Sequence, residues 1–182
     1  RPRDDAGVFF GASDAFASAA LDPVLTRLRA SACRVEDGPM RSASIALLDE
    51  TSDDADGVYD AIRGAFAAAR GTTPTTTRAQ LCVYGADDHF STWHRDEVGD
   101  DLYKADALVV FLSDPRDYGG GEFDVGDAAV PDRPPRGSFC VFDARRQLHR
   151  VRRVTRGERR TLVCWSTDGS AAREPLVAPR PP

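Results

Sequence analysis

Residues 91–98 read Ser-Thr-Trp-His-Arg-Asp-Glu-Val, which sets His94 two positions before Asp96. On a strand, side chains at i and i+2 share a face, so one imidazole and one carboxylate can meet a single ion while Arg95 turns away. The chain has three histidines. His89 lies five residues before His94, an odd separation that puts it on the opposite face of a regular strand. His149 remains as the third ligand, at the start of a later strand-like run. Taken alone, a His-x-Asp pair fits a polar strand edge equally well, so the rest of the chain has to decide.

Two imidazoles and one carboxylate, with other coordination positions open, make up the facial donor set of non-heme Fe(II) oxygenases; the open positions admit an oxidisable co-substrate and dioxygen together. A zinc site would more often be closed, or would carry three ligands and a water. After His149 the chain reads His-Arg-Val-Arg-Arg-Val-Thr-Arg-Gly-Glu-Arg-Arg-Thr-Leu-Val-Cys-Trp. Gly157 marks a tight turn between two strands. Arg159, Thr161 and Val163 then alternate onto one face, and Arg160, Leu162 and Cys164 onto the other. An arginine turned inward among Leu162, Val163 and Trp165 must meet an anion, because an unpaired buried guanidinium is costly. Its planar fork suits two-point contact with a carboxylate, to which the Thr161 hydroxyl can add. By itself, Arg159 reads equally as a solvated side chain, as Arg160 does.

Elements must hold these groups in place. The sequence Asp22-Pro23 through Val35 predicts a helix, with Asp22 as N-cap, Pro23 in the first turn and Leu21, Val24, Leu25 and Leu28 at helical spacing. Residues 42–49 predict a short strand. Residues 52–70 predict a second helix whose stripe is Val58, Ile62, Ala65, Phe66 and Ala69, ended by Gly71. Residues 71–77 read as a polar linker. From residue 78 onward, strands are predicted at 78–85, 89–96, 105–113, 121–126, 137–143, 148–154 and 159–166. Seven or so short strands with turn chemistry between them indicate a sandwich or barrel, with the preceding helices packed on one sheet.

Bulk properties narrow the function classes. The chain has 182 residues, 41% hydrophobic and 29% charged, a globular soluble composition of single-domain size. A net charge of −5 gives no global signal for nucleic acid or a membrane surface. No apolar run approaches the ~20 residues needed to cross a bilayer, and no basic-then-apolar targeting segment is read at the start. None of the four cysteines forms a C-x-x-C pair, so reduced thiols are expected rather than a structural zinc site.

Together, Tyr84, His94-Arg-Asp96, Tyr118-Gly-Gly-Gly-Glu, His149-x-Val151, Gly157-x-Arg159 and Trp165 resemble the Fe(II)- and 2-oxoglutarate-dependent oxygenases, in particular the prolyl and lysyl hydroxylase-like branch. The resemblance covers roughly residues 78–166. It implies an α+β, mainly β chain: a double-stranded β-helix, or jelly roll, with N-terminal supporting helices. The expected organisation is one domain over residues 1–182, with a helical part to about 77, a jelly-roll core over about 78–168 and an extended tail at 169–182. The resemblance also implies His94, Asp96 and His149 as metal ligands, and Arg159 on the far carboxylate of 2-oxoglutarate with Tyr84 and Thr161 beside it. Fe(II), 2-oxoglutarate and dioxygen are the implied cofactor and co-substrates, with ascorbate as a further candidate. Relatives often carry proline where Arg153 stands. Asp96 is intact, so halogenation is not expected.

The implied reaction is hydroxylation of an unactivated C–H bond with release of succinate and carbon dioxide. The branch favours a prolyl or lysyl side chain in a peptide or protein. A free amino acid, a small natural product, or a non-catalytic ligand-binding domain of the same fold are the alternatives. A cupin-like metal enzyme without 2-oxoglutarate would have no need of an inward Arg159. The segments at 97–104 and 113–121 could border the site. Eight arginines between Arg145 and Arg160 read chiefly as a solvated face.

Overall fold

The computed structural model describes residues 7–55, 57–96 and 104–167. Most of the 97–104 loop and the 169–182 tail named above lie outside the described residues. The chain begins with strand β1 (Phe9–Ala12), helices α1 (Asp14–Ala17) and α2 (Asp22–Ser31), and strands β2 (Cys33–Asp37) and β3 (Arg41–Leu48). Helix α3 (Val58–Arg70) follows. Ten strands complete it: β4 (Thr75–Thr76), β5 (Ala79–Tyr84), β6 (His89–His94), β7 (Lys104–Phe111), β8 (Tyr118–Gly120), β9 (Phe123–Val125), β10 (Ser138–Asp143), β11 (His149–Val151), β12 (Val154–Gly157) and β13 (Arg159–Thr167).

The strands pair antiparallel in the order β1-β10-β7-β13-β5-β3-β6-β11-β9, with β2 added to β3 and β4 to β13; β12 and β8 form a separate ladder. The curl turns on β3. It pairs with β5 through Ser44–Leu48 and with β6 through Arg41 and Ser42, so one strand belongs to both halves of the roll. The β6-β11-β9 half folds back over the larger half, which brings Phe123 against Phe111 and Phe142 at centroid separations of 6.1 and 6.0 Å. This is the double-stranded β-helix, mainly β with few helices.

Strand alternation divides the larger half into two faces. Leu81, Val83, Leu108, Val110, Val141 and Leu162 face the helices and share a core with Ile62 and Phe66 of α3. Cys82, Tyr84, Val109, Phe111, Phe142 and Trp165 face the interior of the roll. Helix α3 buries the predicted stripe, and Gly71 ends it in the left-handed region at φ 78°, its N–H bonded to the Ala67 carbonyl.

Several local expectations are corrected. The helix expected over 22–35 stops at Ser31, because the chain is recruited into β2 to pair with β3; edge pairing with an existing strand outweighs helix propensity over those four residues. Asp22 lies inside the first turn, where its carboxylate accepts from Arg136 at 2.6 Å instead of capping. The N-terminal region is thus only partly helical: it contributes β1 against β10 and the whole bridging strand β3. The helix expected from residue 52 begins at Val58. The strand expected over 148–154 is two strands, β11 and β12, in different ladders, separated by Arg152 and Arg153. The 113–121 segment supplies β8, which pairs with β12. The polar linker carries β4, clipped onto the end of β13.

Candidate metal and co-substrate site

His94 ends β6, Asp96 follows two residues later and His149 opens β11. Register puts His149 directly opposite His94, and the Asp96 N–H donates to the Ala144 carbonyl at 3.0 Å, just beyond β10. The ligand atoms of all three side chains lie within 4.8 Å of one another. His149 Nε2 is 3.6 Å from Asp96 Oδ1. The two imidazole centroids are 4.2 Å apart. His89 is not in this cluster; its Nδ1 is paired with the Ser91 hydroxyl at 3.1 Å.

The surroundings prepare these groups for a cation. Nδ1 of His94 lies 2.9 Å from the Thr92 carbonyl, and Nδ1 of His149 lies 3.2 Å from the Gln147 carbonyl. A carbonyl only accepts, so each Nδ1 donates its proton there and each Nε2 is turned to the shared position. Burial, and then the neighbouring His149, push the His94 pKa down, which keeps its ring neutral. Burial works to raise the Asp96 pKa, but the His149 imidazole and the Trp165 indole outweigh it and hold the carboxyl below its ordinary value. The Trp165 indole N–H donates to Asp96 Oδ2 at 2.7 Å, which leaves Oδ1 for the shared position. Two imidazoles and one carboxylate oxygen, converging from β6, the segment just after it and β11, with no fourth ligand among the described residues, fit a divalent first-row metal with open positions.

A cavity of about 260 Å³ joins the triad to Arg159. Arg159, Thr161, Val163 and Trp165 line it, while Leu162 and Cys164 pack on the helix side, as strand alternation predicts. Arg159 is 2% exposed, and its Nε, Nη1 and Nη2 have no hydrogen-bond partner. Its guanidinium carbon stands 5.5 Å from the Tyr84 ring centroid and 5.8 Å from that of Phe111. Burial pulls the Arg159 pKa down from its ordinary value. An arginine with all its nitrogens idle at a cavity wall fits a planar anion. Tyr84 pairs across the ladder with Arg159, and burial pushes its pKa up, so it stays a neutral phenol. Cys82, Cys140 and Cys164 are buried free thiols and Cys33 is an exposed one; burial pushes Cys82 up to about 11.

Gly121 explains the glycine run. It sits at φ 70°, and a Cβ there would lie 2.8 Å from Arg159 Cδ; the missing side chain is the space the arginine stem occupies. Spacing did not single out Phe90, whose ring stacks on His94 at 3.6 Å, or Phe142, 4.9 Å from His149. Trp165 was legible as an inward residue six positions after Arg159, but its bond to Asp96 was not. Arg41 carried no signal at all.

Residues 79–167 match the family model of the 2OG-Fe(II) oxygenase superfamily, so the jelly-roll part of the chain is a 2OG-Fe(II) oxygenase domain and the enzyme class is that of the 2-oxoglutarate-dependent dioxygenases. Among solved structures, it is similar to a prolyl-4-hydroxylase of Pseudomonas putida at 20% identity and a TM-score of 0.68, over 90% of this chain and 93% of that one. It is also similar to a prolyl hydroxylase of Trichoplax adhaerens in complex with a hypoxia-inducible-factor peptide fragment, at 14% identity and a TM-score of 0.69, over 90% and 84%. A viral collagen prolyl hydroxylase of Paramecium bursaria Chlorella virus-1, in its 2-oxoglutarate complex, matches at 18% identity and a TM-score of 0.65, over 87% and 96%. At these identities the likeness is one of fold. No curated protein matches the chain. No helix among the described residues is long and apolar enough to cross a membrane.

Proposed function

We propose that this dioxygenase hydroxylates an unactivated C–H bond of a prolyl or lysyl side chain in a peptide or protein. His94, Asp96 and His149 hold Fe(II), and Arg159, Tyr84 and Thr161 hold 2-oxoglutarate. The observation that carries this reading is Arg159, a buried guanidinium with three idle nitrogens in the same cavity as an open two-histidine, one-carboxylate cluster. The prolyl hydroxylase neighbours favour the substrate class, one of them crystallised with a peptide.

Each side chain has a task the geometry supports. The backbone carbonyls of Thr92 and Gln147 fix the tautomers, so that both Nε2 atoms face the shared position. The Trp165 N–H holds Asp96 with one oxygen inward. Arg159 receives the distal carboxylate in two-point contact, with the Tyr84 phenol and the Thr161 hydroxyl as further donors. Bound there, Fe(II) with 2-oxoglutarate supplies the oxidising power for hydroxylation by dioxygen, with release of succinate and carbon dioxide. The aromatic wall of Phe90, Phe123 and Phe142 limits water around the triad. No side-chain general base is required, and ascorbate would act only to restore iron oxidised off cycle.

The test has two parts. Anaerobic addition of Fe(II) and 2-oxoglutarate should give a weak visible charge-transfer band. Peptide pools rich in proline and lysine, with free amino acids and small natural products alongside, are then screened for a gain of one oxygen atom coupled to succinate. Absence of the band would remove the metal and co-substrate assignment. Turnover of only a free amino acid or small product would replace the peptide reading.

A further inference from the structure

Arg41 opens β3 and lines the same cavity as the triad and Arg159. Its guanidinium carbon lies 4.9 Å from the centroid of the Phe90 ring. That ring stacks on His94, with planes 12° from parallel. The Phe90 ring thus lies against both the Arg41 guanidinium and the imidazole of a triad member. Arg41 Nε is buried and has no hydrogen-bond partner.

The charge of Arg41 reaches Cys82 and Tyr84, the same two side chains that feel Arg159. Two guanidiniums therefore flank one stretch of β5 in one cavity. Asp96 is the only carboxylate among the described residues lining that space, and it faces His149 and Trp165. Arg159 is buried and Arg41 half-buried, and two like charges lining one cavity repel unless an anion lies between them. A dicarboxylate with one end near each guanidinium relieves both. The other two cations of the lining are engaged elsewhere: Lys104 sits 3.9 Å over the Trp165 ring, and Arg95 Nε donates to the Arg146 carbonyl at 3.3 Å.

We propose that Arg41 is a second anchor for 2-oxoglutarate, taking the carboxylate on the side of His94 while Arg159 takes the distal one. This rests on the co-substrate assignment above, and it makes the protein grip both ends of the molecule. Phe90 then has a defined part: its ring packs against both the guanidinium and the His94 imidazole and so holds Arg41 at the cavity wall.

The experiment is anaerobic titration of the Fe(II) protein, followed by the visible band at saturating metal, with two ligands. One is 2-oxoglutarate. The other is 2-oxobutyrate, which keeps the 2-oxo acid end and lacks the distal carboxylate. Arg41→Gln should weaken both ligands by on the order of tenfold, as expected for loss of a charge-assisted contact. Arg159→Gln should weaken 2-oxoglutarate strongly and 2-oxobutyrate little. Arg41→Lys, which keeps the charge without the fork, should fall between wild type and Arg41→Gln, and it carries the comparison if the glutamine variant does not fold. An Arg41→Gln protein that binds both ligands within about twofold of wild type, or that loses only 2-oxoglutarate, overturns the proposal. In either case an intact Arg159 effect leaves the co-substrate assignment standing. A silent Arg159→Gln would instead sink that assignment.

Discussion

Arg159 and Arg160 carry the same charge on adjacent residues of β13, and alternation sends them to different places. Arg159 is buried with its nitrogens idle, whereas Arg160 reaches toward Glu158, with Nε 3.8 Å from the carboxylate. Arg159→Ala should therefore raise the 2-oxoglutarate requirement for succinate formation roughly thirtyfold to a thousandfold, from loss of ~2–4 kcal/mol of two-point contact. Arg160→Ala should change it little, and both variants should keep iron. Equal effects from the two would mean that the cavity face of β13 is misassigned. Asp96→Ala removes the only anionic member of the triad and leaves the Trp165 N–H without its acceptor. It should abolish succinate formation and weaken Fe(II) binding by at least about tenfold, measured by metal titration; normal turnover would remove Asp96 from the ligand set.

At the level of elements, the turn between β5 and β6 joins the strand that ends at Tyr84 to the strand that ends at His94, and Asp88 holds it. Its carboxylate accepts from the Gly85 N–H at 2.8 Å, the Ser42 hydroxyl at 2.6 Å and Arg34 Nη1 at 2.8 Å. Burial works to raise the Asp88 pKa, and the bonds from Arg34, Ser42 and Gly85 outweigh it, so the folded-state value is depressed. A depressed carboxylate contributes stability above its unfolded value, near ~3.9, and loses it as pH falls through the lower folded value. Asp88→Asn should cost about 1–3 kcal/mol at neutral pH by chemical denaturation. The gap between variant and wild type should close below about pH 4, because only the wild type has this charge to lose. A gap independent of pH would show that shape, not charge, holds the turn. Gly121 makes a parallel case in the segment after β8. Gly121→Ala adds ~1–2 kcal/mol of left-handed strain and drives a Cβ against Arg159 Cδ. Thermal unfolding should drop, and the 2-oxoglutarate affinity should fall with it; a lowered melting point with unchanged affinity would mean that the arginine stem has other room.

Across the whole molecule, two cores lie back to back through one sheet. Ile62 of α3 is fully buried in the helix-side core, with Leu81, Leu108, Val110 and Leu162 on the facing strands. The site lies on the other face of the same strands. Ile62→Ala should destabilise by about 2–5 kcal/mol, read by denaturant midpoint, while the folded fraction keeps its 2-oxoglutarate affinity within about twofold. A large affinity loss would show that the helix layer tunes the strands it supports rather than only burying them.

Much of this arrangement is legible in the sequence because it is local or periodic. The i, i+2 spacing of His94 and Asp96, the alternation of Arg159, Thr161, Val163 and Trp165, and the helical stripe of α3 are each written in runs of a few residues. Strand and helix geometry converts such runs directly into faces. The resemblance carried by the ordered motifs extends this to the jelly roll itself. The rest depends on pairings between residues far apart in the chain, for which no local pattern exists. Residues 33–37 are a strand only because β3 lies beside them, and residues 148–154 split because β6 and β8 claim different parts. The Trp165 bond to Asp96 spans 69 positions. The place of Arg41 in the cavity follows from the passage of β3 between both halves of the roll. Propensity and period act over about one turn or one strand; which distant cation shares a cavity with which carboxylate is decided when the sheet curls.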